Sequence, residues 1–390
     1  MPSRRNFLKS GAVATAAGLM VGEGGLAQAQ PGTFKEPAPI GGLGRSYAET
    51  ASPHPWIKPQ LPSPPISIDV HTHWAPAGYL KAKADLGQPD FLDPINHDMD
   101  RRIKWMDAHG MQTQVLTLGG FRPWQWVTPE QGAKVSRVAN DEAMQAHKDN
   151  PSRFLAGIEL NVSDPQGSLA ELNRVAGKPG FVCVHMPTSL GGKEFLFDAA
   201  FQPVLARIHD IGLPIILHPL DGEPNWFLGK RLDDAASGVD ANANPMANRF
   251  PGLTNSVGNS MEVAVCMAKL IASGTLDRYP NLTFIITCGG GAMPLIGGRM
   301  ENRGGAKYKQ PVYEYMRRFY FDSLVYWPVN MRYLADVVGP DRIVLGTDNM
   351  YGPGDNQMAN NPHSLIDQTG FTEADRDLIL RGNLKRLFKL

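Results

Sequence analysis

From residue 66 onward, eight short β-branched and apolar runs alternate with longer amphipathic segments, and this rhythm constrains the fold more than any other feature. The runs cover 66–71, 115–119, 154–160, 181–186, 214–218, 283–288, 319–323 and 342–347. Helical periodicity fills 98–109, 130–150, 168–176, 201–211, 261–274 and 328–338. Gly110, Gly212 and Gly339 follow three of these segments, where a helix stop is expected. Eight strand–helix units over ~300 residues suit an α/β fold of the (β/α)8 TIM-barrel type in a single domain. A doubly wound sheet is the competing architecture. It loses its main support because no G-x-G-x-x-G opens the first helix.

The N-terminus reads as an address. Arg4 and Arg5 stand before Phe7-Leu8-Lys9, a weakly apolar run follows to Val21, and Ala27-Gln28-Ala29 offers a cleavage site. The apolar run falls short of the ~20 residues that span a bilayer. Three parts follow: a twin-arginine signal over 1–29, a Pro- and Gly-rich arm over 30–65, and the barrel over 66–390. The expected destination is the periplasm or another extracytoplasmic space, reached by a chain exported already folded. A metal could therefore be loaded before crossing.

Composition narrows the partners. Lys+Arg 38 against Asp+Glu 38 leaves no basic surplus for nucleic acid or an anionic membrane, so the expected partner is a small-molecule substrate. A homodimer stays open. Three cysteines, Cys183, Cys266 and Cys288, are too few for a disulfide framework, and none is expected to pair.

Barrel enzymes carry their chemistry at the C-terminal strand ends. Strand one ends Asp69-Val70-His71-Thr72-His73, strand five ends at His218, and strand eight leads into Asp348. His71 and His73 share a face by alternation. Three imidazoles and a carboxylate make a candidate site for one divalent metal, zinc first and manganese second. A lone His-x-His is more often polar surface, so the weight lies on all four standing at equivalent strand ends.

The segments IDVHTHWAP (68–76), GLPIILHP (212–219), 270–303 and 320–355 resemble the amidohydrolase-related family that includes aminocarboxymuconate-semialdehyde decarboxylase. The likeness runs from about residue 66 to 390. It implies a distorted (β/α)8 barrel with a catalytic divalent metal held by His71, His73, His218 and Asp348. Three positions depart from the family pattern. Its strand-six His-Gly-Gly is Cys288-Gly289-Gly290, the Asp-Tyr-Pro after strand eight is Asp348-Asn349-Met350, and a His after strand seven is Tyr326.

Cys288 has three readings: a thiolate acting as ligand or base, a passive small residue, or a mark of a degenerate site. His185, at the end of strand four, is a candidate to replace the missing base or to support a second metal. Its alternative is a satisfied histidine at the barrel rim. Glu159, near the end of strand three, is similar but weaker. Arg122, flanked by aromatics including Trp126, suits a planar carboxylate, or is an arginine packed on tryptophan. Trp226 opens a long stretch, 221–260, with the length of a lid or binding loop. Two chemistries follow from the resemblance: decarboxylation of a conjugated or aromatic carboxylate, or hydrolysis of an amide, ester or lactone with Asp348 taking the proton. A non-catalytic metal- or ligand-binding barrel is the third reading, raised by Cys288.

Overall fold

The computed structural model describes residues 66–87, 97–119, 122–124, 127–190, 194–219, 254–304, 307–349 and 362–390. The signal, the arm, Trp126, Trp226 and most of the 221–260 stretch lie outside them. Eight strands form one parallel sheet in sequential order: β1 Ser67–Trp74, β2 Met111–Leu118, β3 Phe154–Glu159, β4 Phe181–Pro187, β5 Ile215–His218, β6 Phe284–Ile286, β7 Phe319–Asp322 and β8 Ile343–Val344. The chain beyond β8 returns to β1: Val70 N donates to Leu345 O at 3.0 Å and His73 N to Asn349 O at 3.0 Å. The ring is a TIM barrel, as the alternation of runs and helical segments implies.

Local chemistry fixes the helices around it. Asp98 caps Met99–Ala108 through Arg101 N, and Thr128 with Gln131 forms a capping box on Pro129–Asp149. Asp164 caps Pro165–Val175. The helices Gln202–Ile211, Ser260–Ala272 and Pro328–Val338 match the expected segments to within two residues. The helices Ala77–Asp85 and Met293–Gly304 have no counterpart in that pattern, since each has a weakly apolar average and several Gly or Lys positions. Among the described residues no helix is long and apolar enough to cross a membrane.

The core has two layers. Ile68, Val70, Val115, Leu155, Ile216, Ile285, Tyr320 and Val344 fill the barrel, while Phe154, Leu217, Phe284, Phe319 and their neighbours pack beneath the helices. A bulge in β1 places the site above the inner layer. Asp69 pairs with Gln114 but Thr72 pairs with Leu116, so β1 spends three residues where β2 spends two. Ile68 and Val70 face the interior by alternation, and the extra residue turns His71 inward as well instead of toward the helices. After the bulge alternation resumes, so His73 faces the mouth while Trp74 joins the outer layer.

Candidate metal centre and active site

The strand ends bring His71, His73, His218 and Asp348 together, with one ligand atom from each lying within 4.8 Å of all the others. The three rings sit edge to face, with centroids 4.8 to 5.2 Å apart. His73 Nε2 lies 2.8 Å and His71 Nε2 3.4 Å from Asp348 Oδ1. His71 Nε2 is buried and makes no hydrogen bond, which is costly unless something else engages its lone pair. The donor set and that orphaned nitrogen fit a divalent cation.

Two of the rings, His71 and His218, are held so that Nε2 is left for the cluster. His71 Nδ1 lies 2.6 Å from Oδ2 of the buried Asp322, the last residue of β7. His218 Nδ1 lies 2.5 Å from Pro219 O. In both, the proton on Nδ1 donates and Nε2 keeps its lone pair, the usual support behind a metal-bound histidine. Burial opposes charge on His71, but the Asp322 hydrogen bond and the acidic charge of Asp348 and Asp322 outweigh it and raise its pKa. His218 lacks such a partner. Burial first, then the nearby His73, His71 and Arg122, pushes its pKa well down, so it stays neutral.

Further residues hold this layer in place, and sequence reasoning had not singled them out. Asp322 Oδ1 accepts from Gly289 N at 2.7 Å and Leu324 N at 3.2 Å. The turn after β6 thus supports His71 through its backbone, whatever side chain stands at 288. Asp69 accepts from Thr347 Oγ1 at 2.6 Å and Gln114 Nε2 at 3.1 Å, tying β8 and β2 to β1. Burial lifts its pKa to about 6 against those hydrogen bonds. Arg102, also buried, donates to His73 O at 2.5 Å. Gly346 runs between His71 and Asp322: a Cβ there would meet their Cβ atoms at 2.8 and 2.9 Å. The parity of β7, with Tyr320 inward and hence Asp322 inward, was the available signal.

Cys288, Tyr326 and Asp348 follow β6, β7 and β8, and all have positive φ, 55°, 60° and 57°. They are three of the four such non-glycine residues among those described. Such backbone costs ~1–3 kcal/mol per residue and is commonly found where function sets the geometry. All three line a cavity of about 840 Å³ that also exposes His71, His73 and His218. Cys288 is part-buried in that lining and outside the four-ligand cluster. Tyr326 stands at the open side of the cavity, 42% exposed; the buried part of its surroundings and then the nearby Asp348 and Cys288 hold its phenol above its ordinary pKa, so it is a neutral donor at physiological pH. None of the three cysteines forms a disulfide.

His185 stands beside the cluster, its ring centroid 6.3 Å from that of His218. Its Nδ1 lies 2.7 Å from Glu159 Oε1, and Arg122 Nη1 is 3.3 and 3.4 Å from its two ring nitrogens. Burial, then the Arg122 charge, holds the His185 pKa well below its ordinary value, and burial raises that of Glu159 to about 7. Arg122 is fully buried, beside the His218 carbonyl at 3.4 Å, and is not among the residues lining the cavity. The sequence offered it as a contact for a planar carboxylate or as an arginine packed on tryptophan; the chain buries it together with Trp124.

The Amidohydrolase family profile matches residues 68–390, the whole barrel. The chain belongs to the Amidohydrolase family. A twin-arginine signal profile matches residues 1–21, a signal for export across the cytoplasmic membrane. The 2-amino-3-carboxymuconate-6-semialdehyde decarboxylase of Dictyostelium discoideum is 24% identical, covering 82% of this chain and 90% of its own. The gamma-resorcylate decarboxylase of Rhizobium sp. (strain MTP-10005) is 27% identical, covering 83% and 98%. A crystal structure of the dihydroxybenzoic acid decarboxylase of Polaromonas sp. JS666, with manganese and the inhibitor 2-nitroresorcinol bound, superposes with a TM-score of 0.66 at 25% identity over 83% of this chain and 97% of that one. The amidohydrolase barrel, its divalent-metal site and the resemblance to decarboxylases stand together, as the strand-end motifs implied.

Proposed function

We propose that this amidohydrolase is a metal-dependent decarboxylase of a small aromatic or conjugated carboxylic acid, acting in the periplasm after export in the folded state. The observation that carries the reading is the four-ligand cluster opening on the 840 Å³ cavity, in a chain similar over nearly their whole length to two decarboxylases. His71, His73, His218 and Asp348 would hold a divalent ion, and manganese is the ion its Polaromonas relative contains. Zinc suits the same donors. When bound, the ion supplies Lewis-acid polarisation of a substrate oxygen.

The chain's own groups do the rest. Asp348 is the only carboxylate among the described lining residues, and its side chain is 18% exposed. Oδ1 faces His73, which leaves Oδ2 as the oxygen that would carry a proton to the substrate. Asp348 hands that proton to the ring or alkene carbon bearing the carboxylate. The electron pair of the breaking C–C bond then restores the conjugated system as CO2 leaves, and a proton from solvent returns Asp348 to its acid form. His218 and His185 stay neutral and do not compete as acids. Tyr326 donates a hydrogen bond to a substrate oxygen.

We assign one ion per chain. A second would have to sit at His185, where Glu159 already takes Nδ1 and the Arg122 cation lies within 3.4 Å of the ring nitrogens. Arg122 and Glu159 thus position His185 behind the cluster, and Cys288 acts as a small lining residue. The test is to incubate the mature, manganese-loaded chain with 2,6-dihydroxybenzoate and carboxylated muconates and to follow CO2 release beside His218→Ala. Release by the first protein alone is expected. Hydrolysis of lactones or amides by the loaded protein, with no CO2 from any acid, would sink the reading.

A further inference from the structure

The lining of the main cavity divides by chemistry. Its ionisable part is the metal cluster, Cys288 and Tyr333 with Tyr326, and among the described lining residues there is neither lysine nor arginine. The remainder has a polar side, Ser256, Asn259, Ser260 and Asn330, and an apolar wall: Leu295 on the helix Met293–Gly304, Leu324 and Val325 after β7, and Leu334 on the helix Pro328–Val338. Tyr333 joins two of these elements, its hydroxyl donating to Pro294 O at 3.1 Å, so the wall is continuous. The wall faces open space, with Leu295 73% and Tyr333 43% exposed. At about 840 Å³ the cavity is at the upper end of the ~300–1,000 Å³ that hold drug-sized ligands, well beyond a single-ring acid.

We infer that the acid accepted here carries one carboxylate and an apolar alkyl or aryl substituent, which the wall of Leu295, Val325, Leu334 and Tyr333 receives. The inference rests on the decarboxylase reading for the reaction, but its binding arm is independent of turnover. A second carboxylate set against that wall would lose hydration with no cation among the described lining residues to replace it. Each methylene moved from water onto the wall is worth roughly a fourfold gain in affinity when fully buried.

Isothermal titration of the mature, manganese-loaded chain tests this with three non-reactive ligands: 2-nitroresorcinol, its 5-propyl derivative, and 3,5-dihydroxy-4-nitrobenzoate, which adds a carboxylate at the same position. The propyl compound should bind at least tenfold more tightly than the parent, and the carboxylate at least tenfold more weakly. Leu295→Lys, at an exposed position that tolerates charge, should narrow the propyl-to-carboxylate ratio at least tenfold. Propyl and parent binding within threefold of each other, tightest binding by the carboxylate, or no binding of any of the three to the loaded protein would each overturn the inference. If the binding order holds but neither 2,6-dihydroxybenzoate nor its 4-propyl derivative loses CO2, the decarboxylase reading fails and the ligand class stands. If the unsubstituted acid is decarboxylated while propyl adds nothing to binding, the reading stands and the inference fails.

Discussion

Replacing Asp322 with asparagine should cripple metal binding without removing any ligand. Both carboxylate oxygens accept: Oδ2 lies 2.6 Å from His71 Nδ1, and Oδ1 takes the amides of Gly289 at 2.7 Å and Leu324 at 3.2 Å. An amide of the same shape must turn its NH2 toward one of them, so either orientation sets donor against donor. Facing His71, it drives the ring proton onto Nε2, the atom that serves the cluster. Facing Gly289, it breaks the turn that holds Asp322 in place. Loss of such a support typically lowers metal affinity ~10–100-fold, or about 1.4–2.7 kcal/mol. Asp322→Ala is the harsher change, since it leaves buried donors unmet at ~1–3 kcal/mol each, and it should melt well below Asp322→Asn. The assay is competition for manganese against a chelator of known affinity, with a thermal melt of the apo-protein as control. Asp322→Asn binding metal within threefold of wild type would refute the reasoning.

Three further outcomes follow. Gly346→Ala places a methyl 2.8 Å from His71 Cβ and 2.9 Å from Asp322 Cβ, and should cost ~1–3 kcal/mol of stability together with metal affinity; unchanged manganese binding in the competition assay would count against the close approach. His363, bonded to Ser67 Oγ at 2.9 Å, has its pKa lowered to about 4 by burial and by Arg376, with Asp367 acting the other way. Its folded pKa lies below the unfolded value of ~6.5, so its contribution is complete above pH 6.5 and is lost as pH falls toward 4, by up to about 3 kcal/mol; urea melts from pH 7.5 to 4 should show that decline, smaller in His363→Gln. A thiol reagent should label Cys288 in the native protein while Cys183 and Cys266, buried and with raised pKa values, react only after denaturation, giving three thiols without reductant. Fewer than three would reveal a disulfide.

The barrel was legible because each strand is a compact apolar run set off by helix signals, and because strand-end histidines recur at equivalent places. His71, His73, His218 and Asp348 converge as their positions implied. The supports were harder to see. Asp322 and Asp69 are single acids inside apolar runs: Asp322 takes its role from the inward register of β7, and Asp69 from the opposite face of β1, where it meets Gln114 and Thr347. A bulge of one residue leaves no mark on hydrophobic periodicity. Arg122 carried two readings, a carboxylate contact or an arginine packed on tryptophan, because flanking aromatics suit both; in the fold Trp124 and Arg122 are both fully buried, and Arg122 lies beside His185 and the His218 carbonyl. The substitution of Cys288 for histidine looked like loss of a base. In the fold, the neighbouring Gly289 amide carries the structural duty of that turn.

The most direct measurement is a titration of decarboxylase activity against manganese added to the metal-free mature chain. We expect no activity in the apo-protein, a linear rise that breaks at one ion per chain, and none at any ratio in His218→Ala. Activity without metal, a break at two ions, or turnover retained in His218→Ala would contradict a single catalytic ion held by His71, His73, His218 and Asp348.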